Sequence, residues 1–162
     1  MLHFNASKDL GFTLTESLIV VAIVGILAAM GMPSLIAAQN RAQLAQATDL
    51  VVASLQQVQQ EAIRRNQSCT LTLDKNDRKI AGSPGCLVTG DRTLPETIAL
   101  DYTGAGSIEY GIRGNTTANK SIVLAIVGNP NLNRCLTVSA PLGIIRLGSY
   151  DAIANTCRKL II

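Results

Sequence analysis

From Phe12 to Ala38 the chain is apolar apart from Thr13, Thr15, Glu16, Ser17 and Ser34. A bilayer core takes ~20 apolar helical residues, so this run is long enough to span one. Its single charge is Glu16. A carboxylate in hydrocarbon costs at least ~2.5 kcal/mol, which implies that it meets a partner there. After Pro33 the pattern turns amphipathic. Leu44, Ala47, Val51, Leu55, Val58 and Ala62 recur every three or four residues, and Gln39, Gln43, Gln46, Asp49, Gln56, Gln57, Gln59 and Gln60 fill much of the rest. That spacing puts one stripe of a helix against a core. No strong stop precedes Asn66, so the pattern predicts one helix from about Thr15 to about Arg65. Its first half suits a membrane and its second half supports a domain.

From Cys69 the period changes to two. The predicted strands are Cys69–Leu73, Thr97–Tyr102, Ser107–Ile112, Ser121–Val127, Arg134–Ser139 and Gly143–Leu147. Breaks fall at the GSPG beginning at Gly82, TGAG at Thr103, GNPNLN at Gly128 and APLG at Ala140. Strands that follow a helix with no helices between them predict an α+β fold, with a mainly antiparallel sheet packed on the helix stripe.

The order of signals at the N-terminus is unusual. A secretory signal places its small-residue cleavage site after the apolar stretch. Here Gly11 comes before it. A cut at Gly11 would leave the apolar helix on the mature protein. The run GFTLTESLIVVAIVGILAAMGMP, from Gly11 to Pro33, resembles the class III signal of type IV pilins and type II secretion pseudopilins. The leader MLHFNASKDLG is less basic than in most relatives.

That resemblance implies several roles. A prepilin peptidase would cleave between Gly11 and Phe12, and Phe12 would then be N-methylated. Glu16 would pair with the N-terminal amine of a neighbouring subunit. Pro33 would kink or locally melt the helix, since it supplies no N–H. Gly25 and Ala29 would allow close helix packing. EAIRRNQSCTLTL, from Glu61 to Leu73, together with CLTVSAPLGIIRLG, from Cys135 to Gly148, is most similar to H-type pseudopilins and FimT-like minor pilins. Gly143 and Arg146 would match that group's Gly-x-hydrophobic-Arg pattern, with spacing one residue longer than its commonest form. The implied organisation is a leader over 1–11, a transmembrane and polymerisation helix over 12–38, an amphipathic helix half over 39–66 and a β-rich head over 67–162. The implied place is the bacterial inner membrane, single-pass with the N-terminus cytoplasmic, and then a pilus or pseudopilus.

Composition adds the compartment. The head would lie on the oxidising side, where Cys69, Cys86, Cys135 and Cys157 read as two disulfides. Three connectivities are open. Cys69–Cys86 and Cys135–Cys157 close the local loops, and the second resembles the C-terminal disulfide loop of many pilins. Tryptophan is absent, so the head core should be small and aliphatic.

Little points to catalysis. The only histidine, His3, lies in the leader, and no phosphate-binding or dinucleotide-binding glycine motif occurs. No cofactor is expected. Asp74 and Asp77 sit among Lys75, Arg78 and Lys79, which reads as a solvated turn in preference to a calcium site. The expected role is therefore a structural subunit, a minor type IV pilin, and not an enzyme. Its rivals are an H-type pseudopilin of type II protein secretion, or a minor pilin that takes up DNA. The expected partners are other pilin subunits, the prepilin peptidase, the inner membrane and, in the last case, DNA. Residues 111–162 hold six basic side chains against Asp151 alone. Arg146, Arg158 and Lys159 are the candidate phosphate contacts there.

Overall fold

The computed structural model describes residues 12–151 and 156–159. The leader, including Gly11, lies outside the described residues. The chain divides into two compact units, residues 1–39 and 40–162.

Helix α1 runs Leu14–Arg65, 52 residues. Thr13 caps its start: the Glu16 backbone N–H donates to Thr13 Oγ1 at 3.3 Å. Asn66 ends it in the left-handed region, with φ 50°. The Gln67 N–H donates to Ala62 O and the Asn66 N–H to Ile63 O, each at 3.2 Å. This is the paired-bond C-cap usually built on glycine. Arg64 and Arg65 occupy the last turn, where cations suit the helix dipole.

Among the described residues, no single unbroken helix is long and apolar enough to cross a membrane. Leu14–Ala29 and Ser34–Arg65 pass that test only as a pair, by length and composition. Pro33 falls between them, and its side chain lies outside the described residues.

Among the described residues the head holds nine strands, all paired antiparallel. These are β1 Cys69–Asp74, β2 Lys79–Gly82, β3 Arg92–Thr93, β4 Ile98–Tyr102, β5 Ser107–Tyr110, β6 Lys120–Ile126, β7 Asn129–Ser139, β8 Ile144–Asp151 and β9 Thr156–Lys159. They form two sheets where the pattern predicts one. The first has the order β3-β2-β1-β5 and the second β4-β6-β7-β8-β9. The chain changes sheet three times, between β3 and β4, between β4 and β5, and between β5 and β6; the second change falls at the TGAG segment, where Gly104 has φ 72°.

All six predicted strands form, with shifted ends. GNPNLN does not separate strands as expected. Gly128 makes the turn with φ 84°, and Asn129–Asn133 already belong to β7. The register shift between Ala125 and Ile126 accommodates that extension.

The helix stripe meets both sheets. Leu44, Ala47, Val51, Leu55, Val58 and Ala62 are all buried, against Leu71, Ile80, Ile108, Ile122, Leu124, Leu136 and Val138. Each of the leucine, isoleucine and valine side chains contributes ~1.5–3 kcal/mol on burial, the alanines less. Thr48 and Ser54 are buried on the same helix. They meet the cost of burial by donating to the carbonyls of Leu44 at 2.6 Å and Leu50 at 2.7 Å.

Candidate assembly site

Every described side chain from Phe12 to Ala29 is exposed. Phe12 is 79 % exposed, and Leu14, Leu18, Ile19, Val21, Val24 and Leu27 all exceed half. A helix apolar on every side has no solvent-facing stripe and is built for lipid or for other apolar helices. Glu16 is the one charge on it. It stands at the third helical position, opposite Thr13 in a Thr-x-x-Glu spacing. Ser17 adds a second tie, its backbone N–H donating to Thr13 O at 3.1 Å. The first turn is thus fixed immediately after Phe12. The sequence reading missed this cap, although the Thr-x-x-Glu spacing was its signal.

No Cβ at Gly25 would meet any atom within 4 Å. That position therefore remains open for close approach by another helix.

The cysteines pair as Cys69–Cys86, with Cα atoms 5.7 Å apart, and Cys135–Cys157, at 5.9 Å. The first bridge joins β1 to the segment after β2. The second ties β9 to β7.

Three glutamines that read as polar filler on α1 anchor the loops of the head. Gln59 Nε2 donates to Gly114 O at 2.8 Å and Leu142 O at 3.3 Å, so one side chain holds two turns. Gln57 Oε1 accepts from Arg92 Nη2 at 3.1 Å. Gln43 Oε1 accepts from Thr97 Oγ1 at 3.0 Å. Their spacing gave no such signal, because each acceptor or donor lies far away in the chain.

The KNDRK segment is a turn. Asp74 Oδ1 accepts from the backbone N–H of Asn76 at 2.8 Å and of Asp77 at 3.2 Å. Among the described residues no group of three or more carboxylate, histidine or cysteine side chains could hold a metal.

Cations in the first sheet and at the helix end are paired. Glu61 accepts from Arg64 at 2.7 Å and Arg65 at 3.1 Å, and these two guanidinium hydrogen bonds hold its carboxyl below the usual range. Lys79 reaches Asp91 at 2.8 Å. Lys75 donates to Asp101 and lies over the Tyr102 ring, 4.5 Å from its centre.

The candidate phosphate contacts do not form one patch. Arg146 is cross-strand from Thr137 and Arg158 from Ser149. Successive strand residues alternate faces, so Arg146 and Ser149, three apart on β8, point to opposite sides, and Arg158 goes with Ser149. Arg158 also pairs with Asp151 at 3.4 Å. Lys159 is in register with Gly148, and its side chain lies outside the described residues.

The profile of the type II transport protein GspH family matches residues 47–142, more than half of the chain. The chain belongs to the GspH family. A second profile, the prokaryotic N-terminal methylation motif, matches residues 6–32. Together they put this GspH-family chain among the type IV pilins and pseudopilins. Its head shares the fold of the type IV minor pilin FimU of Pseudomonas aeruginosa, with TM-score 0.56 at 16 % identity over 66 % of this chain and 89 % of FimU. It also shares the fold of the minor pseudopilin EpsH from the type II secretion system of Vibrio cholerae. There the TM-score is 0.54 at 15 % identity, over 68 % of this chain and 97 % of EpsH. No curated protein matches the sequence.

Proposed function

We propose that this chain is a minor pilin, a non-catalytic subunit that enters a type IV pilus through its N-terminal helix. One observation carries the reading: from Phe12 to Ala29 the helix is exposed and apolar on every side, with Glu16 as its one charge.

The mechanism follows from that charge. A prepilin peptidase cuts after Gly11, and the new N-terminal Phe12 is N-methylated. The helix then waits in the inner membrane, with its N-terminus cytoplasmic. A carboxylate and an ammonium are each unfavourable in hydrocarbon, and removing one partner of a buried pair is strongly destabilising. Glu16 therefore favours the arrangement in which it meets the Phe12 amine of a neighbour, which exists only in the filament. The Thr13 cap supports this by fixing the turn that carries both groups. The head is then displayed in the periplasm or at the cell surface, with Cys69–Cys86 and Cys135–Cys157 as its staples.

Mass spectrometry of sheared pili should find a methylated Phe12 at the N-terminus. Glu16→Val should still insert in the membrane, yet fall at least ~10-fold in pili, as expected for loss of a pair worth over ~1.4 kcal/mol. An intact leader in assembled material, or normal incorporation of the variant, would overturn the reading.

A second reading, the H-type pseudopilin of type II secretion, is favoured by the family itself, which is named for type II transport. Deletion of the chain should then abolish protein secretion and leave pili intact. DNA contact in natural transformation gains no support from the separation of Arg146 and Arg158 onto opposite faces of β8 and β9.

A further inference from the structure

A polar cavity of about 430 Å³ opens beside the last two strands of the head. Pro130 and Asn131 line it from the start of β7. Ser149, Tyr150 and Asp151 line it from β8, and Arg158 from β9. The assembly reading uses none of these residues except Arg158, which served there only as a candidate phosphate contact.

The walls are held in place from within. Asn133 Nδ2 donates to Pro130 O at 2.9 Å, and Asn133 Oδ1 accepts from the Tyr150 N–H at 2.9 Å. One amide thus ties the start of β7 to the end of β8. Asn133 is a positioning residue for the cavity. A cavity whose walls are fixed before a ligand arrives loses less on binding.

The lining sets the ligand's chemistry. Arg158 and Asp151 stand 3.4 Å apart, so the lining carries one charge of each sign. An anion drawn to Arg158 meets the Asp151 carboxylate, and a cation drawn to Asp151 meets the guanidinium. Neither charge type is favoured. Further polar groups are the amides of Asn131 and Asn133 and the Ser149 hydroxyl, each both donor and acceptor. Pro130 adds the apolar surface. The volume lies within the ~300–1,000 Å³ typical of small-molecule sites.

We infer that this cavity binds a neutral sugar unit. A pyranose presents neighbouring hydroxyls that each donate and accept. It also presents a C–H face that rests on a proline. Arg158 would donate to one hydroxyl and Asp151 would accept from its neighbour. Asn131 and Ser149 would hold a third.

The test uses the full chain, purified in a zwitterionic detergent without a sugar headgroup. Ligand-observed saturation-transfer NMR is run with maltotriose, chitotriose and a galactose trisaccharide at up to about 10 mM, a range that detects millimolar Kd. Inorganic phosphate serves as the anionic arm, as a competitor. At least one trisaccharide should bind and resist displacement by phosphate. Asn131→Ala and Arg158→Ala should each weaken that binding by about tenfold, the effect of one lost hydrogen bond to a polar ligand. Both variants should keep the wild-type circular dichroism and both disulfides. Asn133→Ala should weaken binding as well, because it releases the two walls that this amide ties together. Silence from all three sugars, displacement by phosphate, or binding unchanged in the Asn131 and Arg158 variants would overturn the proposal. Pilus assembly by the same variants should stay normal, which keeps this outcome separate from that of the assembly reading.

Discussion

Tyr110 is fully buried at the end of β5, and its hydroxyl has no hydrogen-bond partner among the described residues. A Cβ added at Gly143 would lie 2.8 Å from its ring, so the ring is packed tightly against that turn. Gly143 has φ 66°, which favours glycine there for a second reason. Burial pushes the phenol up to about 12. In the unfolded chain it ionises near ~10. The stability from keeping Tyr110 neutral is therefore complete below about pH 10 and is lost as the pH rises through about 12. Tyr110→Phe should leave stability at pH 7 unchanged or raise it by up to ~1 kcal/mol, since an unsatisfied polar group is removed. It should also remove the alkaline loss. Denaturant titration at pH 7 and near pH 11 would check both parts. A destabilisation above ~1 kcal/mol at neutral pH would mean that the hydroxyl has a partner.

At the scale of elements, the short edge strands depend on close backbone contact. A Cβ at Gly148 in β8 would collide with the carbonyl of Arg158 and lie 3.2 Å from Cys157 Sγ. The backbone of β9 therefore passes directly over Gly148. Gly148→Ala should push β9 away, cost ~1–3 kcal/mol as overpacking does, and raise the fraction of free thiols at Cys135 and Cys157. Thiol labelling under native conditions would measure it, and labelling equal to wild type would refute the contact. The same closeness explains what the periodicity could not reveal. Strand β9 has four residues, two of them charged, β3 has two residues, and Ile80 is the only fully buried side chain of β2. Segments this short hold no repeat to read. They form because β8, β2 and β1 offer them unpaired backbone. Helix α1, in contrast, carries its stripe through about five turns, so its core face from Leu44 to Ala62 was readable residue by residue.

For the whole molecule, the two disulfides staple different parts of the head. Cys69 and Cys86 are both buried in the core. Cys135 is buried as well, but its partner Cys157 is only partly so, and this bridge secures the last strand of the second sheet. Each bridge closes a loop of similar length, with separations of 17 and 22 residues, so loop entropy alone assigns each ~3 kcal/mol. Replacing Cys69 and Cys86 together with serine buries two hydroxyls, against one at Cys135 in the other pair, and each costs a further ~1–3 kcal/mol if unpaired. The Cys69→Ser/Cys86→Ser variant should therefore unfold at lower denaturant than Cys135→Ser/Cys157→Ser. Equal midpoints would mean that the core accommodates the hydroxyls.

Local pattern was enough for the N-terminal segment and the helix. An apolar run with one carboxylate, a small residue before it and a 3.6-residue stripe after it depend only on neighbours in the chain, and so do the alternating strands. What required the tertiary structure was everything that joins distant residues. Two sheets replaced the expected one, because the choice of strand partner is made by packing across the helix and not by the strand's own sequence. Gln59 became a clamp on two turns because folding brings Gly114 and Leu142 to it. Arg146 and Arg158, near in sequence and alike in charge, were separated by the two-residue alternation of paired strands. In each case the deciding term is cross-chain geometry, which composition and spacing do not contain.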